Sequence, residues 1–229
     1  MRKHLIPILA CTLALAGLAS PVAAAPLETF EQGNVGWTVL TIRDAGRPSS
    51  TPAGFQAEGG NPAGHVSAPL EGSASRLYAI QPPSGKGSRY GDLTGKTLVV
   101  DYRLDGSVAG DSRDRKVRFF IGYADPGGAD RYWVSDGPDS WSPDTGGQWT
   151  TRRISLDKGR FVPWQEQAAR GMSFEEVLKR YNDIGLVFVG DPRDRRDQGL
   201  SGRGMVRVDN FGLSQKAAGE KVLPSKTDG

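Results

Sequence analysis

The sequence is poor in the residues that most often carry cross-links or chemistry. It has one cysteine, Cys11, in 229 residues, so no intramolecular disulfide can form. A fold made from this chain must be held by core burial, or by a bound ion. Histidine is almost as scarce, with His4 and His65 alone. Zinc therefore lacks ligands, and a serine or cysteine nucleophile lacks its base. The nearest approach to a serine elbow, Gly199-Leu200-Ser201-Gly202-Arg203, fails at its last position. Phosphate-loop, dinucleotide and EF-hand spacings are missing, since Asp191, Asp194 and Asp197 are each separated by arginines. Charge of one sign is lacking too, with 29 Lys and Arg against 26 Asp and Glu. The isoelectric point of about 9.0 comes from that small excess and does not point to a nucleic-acid partner. Beyond the first 25 residues, no apolar run approaches the ~20 residues of a membrane span.

What the chain has instead is 31 glycines and 15 prolines, which suit many turns between short strands and argue against a helical bundle. Arg2, Lys3 and His4 precede an apolar run from Leu5 to Leu18, and Val22-Ala23-Ala24 offers the small residues a signal peptidase reads. This predicts a signal peptide over residues 1–24 and a secreted or periplasmic product. A lipoprotein cut before Cys11 would have an apolar core of only six residues, and the apolar run continues past that point. Cleavage removes Cys11, Arg2 and Lys3, and the remainder is close to neutral. One domain is expected over residues 25–215, followed by a polar, patternless tail over 216–229.

Period-two alternation marks strands at Thr97–Leu104, Val117–Tyr123, Arg131–Ser135 and Trp149–Leu156. The segment Asp44–Ser75 reads as turn-rich, with His65-Val66-Ser67 extended at its end. The mixed charges of Asp105–Lys116 read as a solvated loop. Ser173-Phe174-Glu175-Glu176 is a capping box, with Met172 and Val177 spaced as a hydrophobic staple. Phe174, Val177, Leu178 and Tyr181 then form one apolar stripe of a short helix. It feeds Ile184–Val189, an apolar run expected to be a central strand buried on both faces. About seven to nine strands and one helix fit an all-β chain, an antiparallel jelly-roll β-sandwich with one short helix.

The closing strand, Met205–Leu213, changes phase. Val206 and Val208 share one face, whereas Phe211 and Leu213 lie on the other parity. One buried face can survive that switch only through an inserted residue, a bulge near Asp209-Asn210. A bulge that carries a carboxylate offers a free carbonyl and an anionic oxygen together, as a hard cation such as calcium requires.

The expected strands present no closely spaced inward pair of carboxylates, as glycoside hydrolysis would need, so no catalytic residue is assigned. Tyr132, Trp133 and Trp141, with Trp149 and Trp164 nearby, are candidates to stack on sugar rings. The alternative is that these indoles cover the edges of a disulfide-free core.

Several segments in order resemble a laminin IV (laminin B) domain: Phe30-Glu31…Gly36-Trp37, Gly60-Asn61-Pro62-Ala63-Gly64-His65-Val66, Tyr90-Gly91-Asp92-Leu93, the capped helix before Asn182–Val189, and Val208-Asp209-Asn210-Phe211. The resemblance implies a galactose-binding-like jelly roll without catalytic residues, in a bacterial secreted setting. It also implies that Glu31 and Asp209 hold a structural calcium, as an early-strand Glu and a last-strand Asp do in the wider group; the alternative is that both are ordinary edge charges. The expected function is a non-catalytic binding or structural domain whose partner is a glycan or an extracellular or cell-envelope protein. A carbohydrate-binding module and a small polysaccharide-active enzyme are the alternatives.

Overall fold

Alternating apolar residues divide the chain between two antiparallel sheets with the core between them. The computed structural model describes residues 29–31, 33, 36–43, 49–61, 64–71, 75–82, 90–109, 115–124, 131–164, 172–193, 199 and 201–215. The predicted signal peptide and the 216–229 tail lie outside these residues. The strands are β1 (Thr38–Arg43), β2 (Ser49–Pro52), β3 (Gly54–Gln56), β4 (His65–Glu71), β5 (Ser75–Gln81), β6 (Lys96–Val108), β7 (Lys116–Tyr123), β8 (Arg131–Ser135), β9 (Thr150–Ser155), β10 (Phe161–Pro163), β11 (Asp183–Val189) and β12 (Gly202–Gln215). Among the described residues one α-helix, α1, spans Phe174–Arg180. The seven-stranded sheet runs β10-β8-β7-β11-β5-β1-β2, and the five-stranded sheet runs β3-β4-β12-β6-β9. This is an antiparallel β-sandwich of jelly-roll type with one short helix.

The expected periodicities are realised. Leu98, Val100, Tyr102 and Leu104 of β6 line the core beside Val206 and Val208 of the neighbouring β12, all at 0–1% exposure. β11 sits fourth of seven in its sheet, and Ile184 to Val189 are buried on both faces. Ser173 caps α1 reciprocally: Glu176 N donates to Ser173 Oγ at 3.2 Å, and Ser173 N donates to Glu176 Oε2 at 2.7 Å. Met172 packs against the core cluster that contains Val177.

The turn-rich expectation for Asp44–Ser75 is corrected in part. It contains β2 and β3, two exposed edge strands too short to show a period. The first four residues of the expected Asp105–Lys116 loop belong to β6, which runs on to Val108. There the backbones of β6 and β12 cross closely, with Gly106 opposite Gly204. A Cβ on Gly106 would lie 2.0 Å from the Arg203 carbonyl oxygen, so only glycine fits.

Candidate functional site

The bulge in β12 is where the sequence pattern placed it. Asp209 pairs with Asp101 of β6 and Gly212 with Val99, so Asn210 and Phe211 together oppose the one residue Val100. Asn210 takes a left-handed φ of 47°, which asparagine tolerates. The inserted residue turns Phe211 and Leu213 back into the core, at 0% and 2% exposure.

The outer side of this bulge is a buried acidic junction. Asp209 is fully buried. Its carboxylate accepts from Asn61 N at 2.6 Å and from Asn210 N at 2.7 Å. Asp101 accepts from Asn61 Nδ2 at 3.0 Å, Asn210 Nδ2 at 2.6 Å and Thr151 Oγ1 at 2.5 Å. Asn210 Nδ2 also donates to the Asn61 carbonyl. Burial pushes the Asp209 carboxyl up to about 6, against its two backbone hydrogen bonds, and the charges of Asp101 and Glu31 add to the rise.

Glu31 bears on this junction through its charge and not from the first strand. It lies in a turn before β1, not on a strand, and β1 and β12 belong to different sheets. The first and last strands therefore do not lie side by side. The Phe30–Glu31 turn is instead seated on Gly64, where a Cβ would fall 2.5 Å from the Phe30 carbonyl oxygen. Among the described residues, no group of three or more His, Cys, Asp or Glu side chains is placed to hold a metal ion.

The three aromatic candidates are not brought together. Tyr132 and Trp133 are consecutive on β8, so their side chains leave opposite faces. Trp133 (8% exposed) packs in the core on Phe174, with ring centroids 5.3 Å apart. Trp141 (6% exposed) also enters the core, 6.0 Å from Tyr102, with Arg152 over its ring. Tyr132 lies on the outer face of the seven-stranded sheet with Phe120 and Trp164. Its ring covers Gly122, where a Cβ would clash at 2.0 Å, and its hydroxyl donates to Asp183 at 2.6 Å.

The outer face of the five-stranded sheet holds a polar cluster that periodicity alone did not single out. His65 is fully buried there on β4. Asp105 accepts from Arg103 Nε and from Arg207 Nε, each at 2.5 Å. Arg207 Nη1 donates to Gln56 Oε1 at 3.0 Å and meets His65 Nε2 at 2.5 Å. Trp149 stands edge-on to His65, with centroids 5.7 Å apart, and its Nε1 donates to the Gly59 carbonyl at 3.1 Å. Burial lowers the His65 imidazole pKa, Arg207 and Arg103 lower it further, and Asp105 opposes them. Burial alone would raise Asp105, but hydrogen bonds from the two guanidiniums hold it below the usual carboxylate range.

No protein-family model matches the chain, and no curated protein matches it. Among solved structures, the L4b domain of human laminin alpha-2 is similar at a TM-score of 0.49 and 14% identity, covering 85% of this chain and 98% of that domain. An exo-beta-agarase is similar at a TM-score of 0.47 and 15% identity, over 83% of this chain and 25% of the enzyme. An exo-1,3/1,4-beta-glucanase from Pseudoalteromonas is similar at a TM-score of 0.40 and 9% identity, over 95% of this chain and 22% of that enzyme. At these identities the likeness concerns architecture alone. No helix among the described residues is long and apolar enough to cross a membrane.

Proposed function

We propose that the chain is a secreted or periplasmic, non-catalytic binding or structural domain of laminin IV type, braced by calcium where the 57–61 loop meets the β12 bulge. One observation carries the reading: the most deeply buried carboxylates fasten pieces of the fold together. Asp209 and Asp101 hold the Asn61 loop onto two strands, and Asp139, 8% exposed, accepts from Arg160. An acid or base for glycoside hydrolysis would have to be taken out of such a network. The proposal assigns the calcium to the junction's oxygen donors. Glu31 and Asp209 would supply anionic oxygens, and the amide and backbone carbonyls of Asn61 and Asn210 would complete a shell of roughly 6–8 oxygens. The ion would relieve the repulsion that helps to raise Asp209.

The test is thermal melting after exhaustive chelation and again with calcium restored, for wild type and Asp209→Asn. A site present only in the folded chain stabilises it by about 2.7 kcal/mol at a hundredfold excess over its dissociation constant. In a domain of this size that is a shift of roughly 5–10 °C, and Asp209→Asn should abolish it. A wild-type melting temperature indifferent to chelation removes the ion, leaving Asp209 to support the bulge by hydrogen bonds alone. Turnover of a polysaccharide by the purified chain would overturn the non-catalytic reading.

A further inference from the structure

The register of β12 on β6 creates a like-charge contact that the calcium junction does not explain. Arg207 stands directly opposite Arg103 on the outer face of the sheet, and like charges so placed destabilise a strand pair. One carboxylate offsets the two cations, because Asp105 accepts both Nε atoms. Within this trio one positive charge is in excess, and the carboxylates of Asp101 and Asp209 follow one cross-strand pair further along the same face. His65 cannot compensate, because an imidazole carries no negative charge; its Nε2 lies against Arg207 Nη1. Its Nδ1 is buried and has no hydrogen-bond partner among the described residues.

The geometry also leaves donors unused. Each Nε is engaged by Asp105, and Arg103 makes no further hydrogen bond among the described residues. Its two terminal nitrogens therefore remain side by side, the end-on fork that matches a carboxylate or sulfate. The Arg103 and Arg207 side chains are 31% and 19% exposed, so an anion can reach them. Trp149 borders the cluster through His65. The rim is made of glycine: Cβ atoms on Gly59 and Gly147 would come 3.9 Å from His65 Cε1 and 3.9 Å from Asp105 Oδ1. A like-charge pair that leans on one shared carboxylate is a broken local rule of the kind found where function overrides stability.

We infer that this face binds an acidic saccharide, its carboxylate or sulfate held by Arg103 and Arg207 and a sugar ring packed on Trp149. The inference rests on the reading of the chain as a binding domain and gives that domain a ligand class. Titration calorimetry tests it with three probes: an oligogalacturonate, a sulfated oligogalactan and a neutral oligogalactan. The variants are Arg103→Gln and Arg103→Lys, each with its melting temperature measured in parallel. One charged probe should bind wild type at least tenfold more tightly than the neutral one. Arg103→Gln should lose that tenfold, and added salt should weaken binding. Arg103→Lys should fall between, since an ammonium keeps the charge and loses the fork. Which charged probe binds distinguishes carboxylate from sulfate. Equal binding of the neutral probe, charged-probe binding undiminished in a folded Arg103→Gln, or no binding of any probe overturns the inference. The first two of these leave the binding-domain reading standing, whereas turnover of a probe overturns that reading instead.

Discussion

Arg118 is the residue whose loss the fold should feel most sharply outside the apolar core. It projects from β7 on the outer face of the seven-stranded sheet and is 5% exposed. Its guanidinium donates through Nε to the Val189 carbonyl at 3.2 Å and through Nη2 to the Gly190 carbonyl at 2.8 Å. Nη1 reaches the Ser135 carbonyl and Asp136 Oδ1, both at 2.7 Å. One side chain thus ties together the ends of β7, β8 and β11. Burial would raise the Asp136 carboxyl, yet the hydrogen bond from Arg118, a backbone hydrogen bond from Gly137 and the charges of Arg118 and Arg193 together hold it below its ordinary range. Arg118→Met keeps much of the volume and removes every donor, leaving three carbonyls and a carboxylate to find water. Removing one partner of a buried pair costs about 3–5 kcal/mol, a large part of the roughly 5–15 kcal/mol that stabilises a domain. Arg118→Lys should lose about half as much, because one ammonium cannot span the carbonyls of Ser135, Val189 and Gly190 at the ends of two strands. Asp136→Asn should cost under about 1 kcal/mol, since that side chain is 42% exposed. Urea unfolding with unchanged slope is the assay. A loss below about 1 kcal/mol for Arg118→Met, or equal losses for Arg118→Met and Asp136→Asn, would refute the account.

Two further outcomes follow from local features. Ser173→Ala removes the acceptor for Glu176 N and should cost about 0.5–2 kcal/mol; chemical unfolding indistinguishable from wild type would mean that the cap does not contribute. In the chelated protein, the Asp209 carboxyl at about 6 lies above its unfolded value of roughly 3.9, so the folded chain holds the proton more tightly. Its contribution to stability should therefore fall as pH rises from about 4 to about 6, by up to about 3 kcal/mol. Measured as wild type minus Asp209→Asn, that difference should slope downward across the window, and a flat difference contradicts the buried, repelled carboxylate.

The features legible in the sequence are those whose cause is local. The parity switch between Val208 and Phe211 could be read because each strand must keep one face in the core, and the register confirms one inserted residue there. The helix was legible from Ser173 and Glu176 because a capping box closes within four residues. β5 was not, since its opening Ser75-Arg76-Leu77 has no clean alternation and its place between β11 and β1 is set by distant partners. The aromatic candidates show the same limit. Tyr132 and Trp133 read as one patch along the chain, yet the pleat sends them to opposite faces, and the Trp133 ring fills the core beside Phe174.

The charged face of the five-stranded sheet was the hardest part to foresee, for a physical reason. Asp101, Arg103 and Asp105 alternate with core residues along β6, as do Arg207 and Asp209 along β12, and either strand alone reads as an ordinary solvated edge. Only the pairing gives them meaning, because it sets arginine against arginine and, two residues on, aspartate against aspartate. A shift of one residue would have moved Val206 and Val208 out of the core, so the hydrophobic face fixed the register and imposed both repulsions. The acidic pair is offset by donors from the Asn61 loop and by Asn210. The basic pair shares the carboxylate of Asp105, with Arg207 also held by Gln56 and His65, and it is at the unused end of Arg103 that an external anion has the most to add.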